Sequence, residues 1–285
     1  MHWQTSRFRL ALDRPLVMGI VNLTPDSFSD GGRHAGAAGG AAHCERLVSQ
    51  GADILDLGGE STRPGAPLVP ADEEWRRLAP ALEHALTLGV PVSIDTWKPE
   101  VMQRALDLGA DIINDVHALE TPGALDAVEA HPACGVCLMH MRGVPADMQT
   151  LTDYGDVVDE VLCYLRDRAA AAEAAGIARE RLALDPGTGF GKTVEQNFEL
   201  LRRQPALDVL GRPLLIGWSR KSSLGAVTGR PVDERLAASL AAALAAVRQG
   251  ARIVRVHDVA ATVDALKVWQ AAGLLPAAAT DSATG

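Results

Sequence analysis

Aromatic side chains are scarce in this chain. Phe, Trp and Tyr make up 4% of its 285 residues, which argues against the stacking surfaces that single-stranded nucleic acid uses. A basic excess is missing too. The 27 Lys and Arg are outnumbered by 36 Asp and Glu, giving a formal charge of −9, whereas a nucleic-acid partner favours a basic face. An anionic substrate stays open, because a few local cations can dominate a cleft. No run of 18 apolar residues occurs, so no membrane-spanning helix is expected. The longest apolar stretch, Ala237–Val247, is Ala-rich and reads as a buried helix. Met1 to Arg14 lacks the apolar core of a signal peptide.

Cysteine is also sparse, with Cys44, Cys134, Cys137 and Cys163 alone. Cys134 and Cys137 form a lone CxxC, the spacing of a redox pair or half a zinc site. No second CxxC or paired His run accompanies it. The preferred reading makes Cys137 a small apolar residue in a strand. A reduced, cytoplasmic protein is expected.

What the chain does have is alternation. Short apolar runs recur at Leu16–Val21, Asp53–Leu57, Pro91–Ile94, Asp111–Ile113, Gly135–Met139, Arg181–Leu184, Pro213–Ile216 and Arg252–Val256. Each is too short for a helix and rich in Val, Ile and Leu, as a strand buried on both faces should be. Amphipathic helical patterns lie between them, as in Glu100–Leu108 and Val157–Leu165. Gly51, Gly89, Gly109, Gly176 and Gly250 stand where helices should end. Eight strand-then-helix units without a linker predict an α/β fold, a single (β/α)8 TIM barrel over residues 1–275. Arg7–Leu12 predicts a short N-terminal strand or hairpin covering the barrel bottom, and 276–285 a disordered tail.

Polar residues follow every run. They include Asn22, Glu60–Arg63, Asp95, Asn114–Asp115, His140, Asp185, Ser219–Ser222 and Arg255–Asp258. In a parallel barrel these endings converge on the face where barrel active sites lie. Single Asp residues such as Asp115 and Asp258 could be helix caps, but eight polar endings exceed what capping needs. Arg63, Arg220, Lys221 and Arg255, with His257, would make a positive spot suited to a phosphate or pyrophosphate. The neutral oxygen of Asn22 suits Mg2+, which takes few protein ligands. Asp95, Asn114 and Asp185 suit a heterocycle with several N–H donors and ring acceptors. The stretches Asn22–Gly36 and Gly58–Pro70 read as long, glycine-rich loops able to act as lids. Asp185–Thr193 imitates a Walker A loop, but Pro186 occupies its first glycine position.

These segments resemble one family, dihydropteroate synthase. The carrying motifs are MGIVNLTPDSFSDGG (18–32), DLGGESTRPGA (56–66), SIDTWKPEV (93–101) and INDV (113–116), followed by CLMHM (137–141), LDPGTGFGK (184–192), GWSRKS (217–222) and IVRVHDV (253–259). The resemblance implies an enzyme that joins 6-hydroxymethyl-7,8-dihydropterin diphosphate to para-aminobenzoate, with Mg2+ and release of pyrophosphate. It implies a homodimer in folate biosynthesis and a target of sulfonamides. By resemblance, Asp95, Asn114, Asp185 and Lys221 hold the pterin. Asn22, Thr62, Arg63, Arg255 and His257 serve the diphosphate, with the metal near Asn22. Phe190, Ser219, Ser222, Phe28 and Pro64 line the para-aminobenzoate side, with Lys221 and Thr62 also touching it. Lys221, Arg255, His257 and Arg63 are the expected catalytic groups. Thr188, Trp97 and His117 depart from the commonest form and bear on pocket shape.

No nucleophile–base dyad is evident, which suits a dissociative reaction: a neutral arylamine needs no strong base. A pterin-barrel methyltransferase would share the Asp95, Asn114 and Asp185 contacts but not need the Arg63, Lys221 and Arg255 cations. A metal-dependent barrel hydrolase would show HxH where Asn22–Thr24 stands. A degenerate pterin-binding paralogue would not retain every cation.

Overall fold

The eight apolar runs become eight parallel strands in the computed structural model, which describes residues 1–24, 32–62 and 65–275. Two N-terminal strands come first, β1 (His2–Gln4) and β2 (Arg9–Ala11). The barrel strands are β3 (Leu16–Asn22), β4 (Ile54–Gly58), β5 (Val92–Asp95), β6 (Ile112–Asp115), β7 (Gly135–Met139), β8 (Leu182–Asp185), β9 (Leu215–Ile216) and β10 (Ile253–Val256). Helices separate them: α1 (Gly32–Ser49), α2 (Ala71–Ala85), α3 (Pro99–Leu108), α4 (Ala124–Glu129), α5 (Val157–Ala174), α6 (Val194–Arg202), α7 (Ser222–Thr228), α8 (Leu236–Arg248) and α9 (Val259–Ala271). The strand order is β8-β7-β6-β5-β4-β3-β10-β9, and a parallel bridge between Leu184 and Leu214 joins the two edges. The expected α/β barrel is what forms.

Register decides which side chains enter the barrel, because side chains alternate between faces. Met18 is level with Ile54 and Arg255, Asp56 with Ile20 and Ser93, and Asp95 with Gly58 and Asn114. All of these share the inner face. The opposite parity, including Val17, Val21, Leu55, Leu57, Ile94, Ile113, Val136, Leu138 and Val254, packs against the helices in the large outer core. The inner floor is a separate apolar cluster of Leu16, Met18, Ile54, Ile112, Cys137, Ala183, Leu215 and Ile253. The inner face is therefore apolar at the strand starts and polar at the strand ends.

Trp3 and Leu12 close that floor from below, both fully buried. β1 pairs antiparallel with β2, so the expected bottom cover is a hairpin. Trp3 Nε1 donates to Arg181 O at 2.8 Å, and Arg7 grips the buried Asp111 at 2.7 and 3.0 Å. Three residues carrying one tryptophan are too short for a periodic signal, so β1 is not legible in the sequence.

Local signals hold elsewhere. Pro99 opens α3, and Gly109 closes it in the left-handed region at φ 115°. The other four predicted cap glycines also take positive φ. Three expectations need correction. Asn22–Gly36 is not all loop, since α1 begins at Gly32. Within α1, glycine serves packing: a Cβ on Gly40 would lie 2.8 Å from Leu23 Cδ2. The Ala-rich helix α8 buries only one face, through Ser239, Ala242, Ala243, Ala246 and Val247, because alanine tolerates either environment. Asp258 does not cap α9 with its side chain, which pairs with Arg220 instead. Cys134 lies in the outer core and Cys137 on the inner floor, both as free thiols, so the CxxC spans two faces. The predicted tail, 276–285, lies outside the described residues.

Candidate active site

The polar inner residues meet above the apolar floor. Asp56 points inward from the middle of β4 and is fully buried. Its Oδ2 accepts Arg255 Nε at 2.5 Å and Asn114 Nδ2 at 3.3 Å, while its Oδ1 has no partner among the described residues. Arg255 Nη2 reaches Asp95 Oδ2 at 2.6 Å. Strands β4, β5, β6 and β10 thus contribute to one cluster. Gly58 lies level with Asp95, and a Cβ there would come within 3.6 Å of Asp95 Cβ. A glycine at that inner position leaves the mouth open above the carboxylates.

Electrostatics follow from burial. Removal from water pushes the Asp95 carboxyl up, against Arg255 and together with Asp56. Burial also works against the Arg255 charge, but Asp56 and Asp95 outweigh it and hold the guanidinium above its ordinary value. The Asp185 carboxyl at the end of β8 is raised by burial, although it accepts Gly187 N–H at 2.7 Å. Lys221 is pulled down to about 8 by burial, with Asp185 opposing. Its Nζ stands 4.1 Å from the Phe190 ring centroid, a cation–π contact.

The turn after β8 is held by a second buried cation. Lys192 Nζ lies 2.9 Å from His140 Nδ1 and donates to Gly187 O and Phe190 O, each at 3.0 Å. His140, expected among the polar strand endings, therefore anchors the turn that carries Phe190. Gly187 is obligatory there: it has φ 70°, and a Cβ would lie 1.8 Å from His140 O. After the neighbouring strands β9 and β10, Ser219 Oγ accepts His257 N–H at 3.1 Å and lies 3.0 Å from His257 Nδ1. Ser222 is the first residue of α7, Asn22 ends β3, and Thr62 is half-buried in the loop after β4.

The structure thus brings together Asp95, Asn114 and Arg255, Lys221 with Phe190, and Ser219 with His257. It also adds Asp56, which was not among the expected site residues. The signal available was a carboxylate inside the otherwise apolar strand Ile54–Gly58. Arg220, expected to contribute to a positive spot, is bonded through two nitrogens to Asp258 at 2.6 and 3.1 Å. Asp115 is a local turn acceptor for the N–H groups of His117 and Leu119. Trp97 stacks on His117 with ring centroids 5.0 Å apart, and Thr188 is buried. Arg63, Pro64 and Phe28 lie outside the described residues. Among those described, no group of three or more His, Cys, Asp or Glu could hold a metal ion.

The chain is similar to known proteins along most of its length. Residues 18–257 match the family model described as pterin binding enzyme. The dihydropteroate synthase of Neisseria meningitidis serogroup C is 54% identical over 276 residues, covering 95% of this chain and 98% of that one. A solved dihydropteroate synthase from Xanthomonas albilineans with 4-aminobenzoic acid has a TM-score of 0.88 at 54% identity, covering 94% of this chain and 96% of that one. The Burkholderia cenocepacia enzyme complexed with 7,8-dihydropteroate has a TM-score of 0.85 at 51% identity, covering 95% and 96%. Taken with the buried cluster of carboxylates, amide and cations at the barrel mouth, these similarities show that the chain belongs to the dihydropteroate synthase family of pterin-binding enzymes.

Proposed function

We propose that this chain joins 6-hydroxymethyl-7,8-dihydropterin diphosphate to para-aminobenzoate, giving 7,8-dihydropteroate and pyrophosphate in folate biosynthesis. The observation that carries the reading is the buried Asp56–Arg255–Asp95 cluster with Asn114 beside it. Carboxylates accept the N–H groups of an aminopyrimidinone edge, and an amide matches one donor and one acceptor. Asp95, Asn114 and Asp185 take those parts, and Lys221 donates to a ring acceptor. The solved Burkholderia enzyme binds the expected product.

The reaction follows a dissociative course. The C–O bond to the diphosphate breaks first, and its electron pair leaves with pyrophosphate. The electron-rich dihydropterin supports the cation left at its exocyclic methylene. The para-aminobenzoate nitrogen then bonds to that carbon and gives up a proton. Thr62, Arg63, Arg255 and His257 serve the leaving charge. Phe190, Ser219, Ser222, Phe28 and Pro64 form the para-aminobenzoate side. Asn22 fits Mg2+ as a single neutral oxygen donor, since this ion takes most of its ligands from water and phosphate. When bound, the ion neutralises charge on the diphosphate. The family reading also carries a homodimer, tested by sedimentation equilibrium. Four free cysteines suit a reducing compartment such as the cytoplasm.

Pyrophosphate release measured with both substrates tests the reaction. Asp95→Asn is expected to weaken pterin binding and Arg255→Ala to slow release. Near-normal affinity and turnover in both would overturn the residue roles. Scrambling of a bridging 18O label without para-aminobenzoate tests bond cleavage ahead of attack, and no scrambling at all would count against a dissociative course.

A further inference from the structure

We propose that Glu60 is a positioning residue whose buried carboxylate clasps the loop after β4 and thereby sets Thr62 for the diphosphate end of the substrate. The functional half of this rests on the reading of Thr62 given above. Glu60 lies two residues past β4, and its side chain is 6% exposed. Oε1 accepts Val69 N–H at 2.6 Å, which ties the beginning of the loop to its far end. Oε2 accepts Trp97 Nε1 at 2.9 Å and Lys98 Nζ at 2.7 Å, both from the connection after β5. Arg77 of α2 donates to Gly59 O at 2.9 Å, one residue earlier. Further along, Gly65 N–H donates to Pro145 O at 3.2 Å. Thr62 is only two residues from Glu60, so the clasp confines it to within roughly 7 Å of a fixed point.

The charge arrangement separates this role from simple support of the fold. Lys98 Nζ already has a counter-charge in Glu74 Oε2 at 2.5 Å. One ammonium and one carboxylate would make a neutral buried pair. A second buried carboxylate adds a desolvation cost, and among the described residues no second cation bonds it. What Glu60 adds to that pair is the link to Val69 and Trp97. Trp97 in turn stacks on His117 and packs against the buried cluster of Val116, Met139, Met141 and Met148, which Phe190 also borders. The clasp therefore joins the loop after β4 to an apolar cluster that Phe190 borders.

Glu60→Gln is the test. An amide has one acceptor oxygen, so it cannot serve Val69 on one side and two donors on the other. The Lys98–Glu74 pair remains to support folding. Affinity for 6-hydroxymethyl-7,8-dihydropterin diphosphate should fall by roughly 10-fold or more, the scale of losing charged hydrogen bonds. Affinity for 6-hydroxymethyl-7,8-dihydropterin without the diphosphate should hold, and the Val69 amide should exchange hydrogen faster. Trp97→Phe removes one donor and should give a smaller loss in the same direction, a readout that stands if Glu60→Gln does not fold. Equal losses for both ligands would reduce Glu60 to a fold-supporting residue and overturn the proposal. Unchanged Val69 exchange would overturn the clasp itself. If the unsubstituted enzyme bound both ligands equally, the diphosphate reading of Thr62 would fail and take the functional half with it, whatever Val69 exchange showed.

Discussion

Arg255 and Asp95 meet across the barrel mouth, Nη2 to Oδ2 at 2.6 Å, although 160 residues separate them in the chain. The same guanidinium binds Asp56 through Nε. One cation thus answers two carboxylates before any substrate arrives. Arg255→Ala leaves both carboxylates without their cation, one fully buried and the other nearly so. Breaking a buried ion pair this way costs about 3–5 kcal/mol. Urea denaturation should therefore show a large loss of stability alongside the slower pyrophosphate release. A variant as stable as the parent would show that these pairs do not hold the mouth together.

Lys192 gives a pH signature. Burial pulls its ammonium down to about 7, against the pull of Asp185. Its value in the folded chain lies below that in the unfolded chain, so above about pH 7 the native state holds less proton at this site. Stability contributed by this site rises as pH increases from about 7 toward 10.5. The stability difference between the parent and Lys192→Met should change in the parent's favour over that window. Denaturant titrations at several pH values read it. A difference independent of pH would contradict the assignment.

Ser219 fixes His257 at two points, the backbone N–H and ring Nδ1. Ser219→Ala should cost about 1 kcal/mol in stability. It should also slow turnover at saturating substrate by about 10-fold, equivalent to ~1.4 kcal/mol, beyond any loss of para-aminobenzoate affinity. Steady-state kinetics separates these. A loss confined to para-aminobenzoate affinity would show that Ser219 serves that substrate alone and does not hold His257 for the reaction.

Trp3 is a stability residue far from the mouth. Trp3→Ala opens a cavity under the barrel floor and removes the bond to Arg181 O. A loss of about 3–5 kcal/mol is expected, with the Michaelis constants of the folded enzyme unchanged. Thermal melts and kinetics at low temperature check both halves. Altered Michaelis constants would show that floor and mouth are coupled.

Much of the site was legible because the strands are short and their polar endings fall in register. Asp95, Asn114 and Asp185 read as a heterocycle-binding set, and they end β5, lie in β6 and end β8. Asp56 was harder. It sits one inner position deeper than Asp95, where an apolar residue would be expected. Arg220 was overcounted as a free cation because its partner, Asp258, looked like a helix cap. The link from Glu60 to Trp97 and Lys98 was not legible, since it joins two successive loops through side chains with no shared pattern.

The sequence by itself determined the barrel, the end of it where the polar residues gather, and the family to which the motifs belong. Each of these follows from local periodicity, from glycine and proline at element ends, and from residue types at strand ends. The tertiary structure alone decided the pairings: Arg255 with Asp56 and Asp95, Glu60 with Val69 and Lys98, and Trp3 under the floor. Barrel closure brings β10 back beside β3 and places Arg255 within reach of residues 199 and 160 positions away. A side chain's partner across a closed sheet is set by strand register and order, and neither is written in any short stretch of sequence.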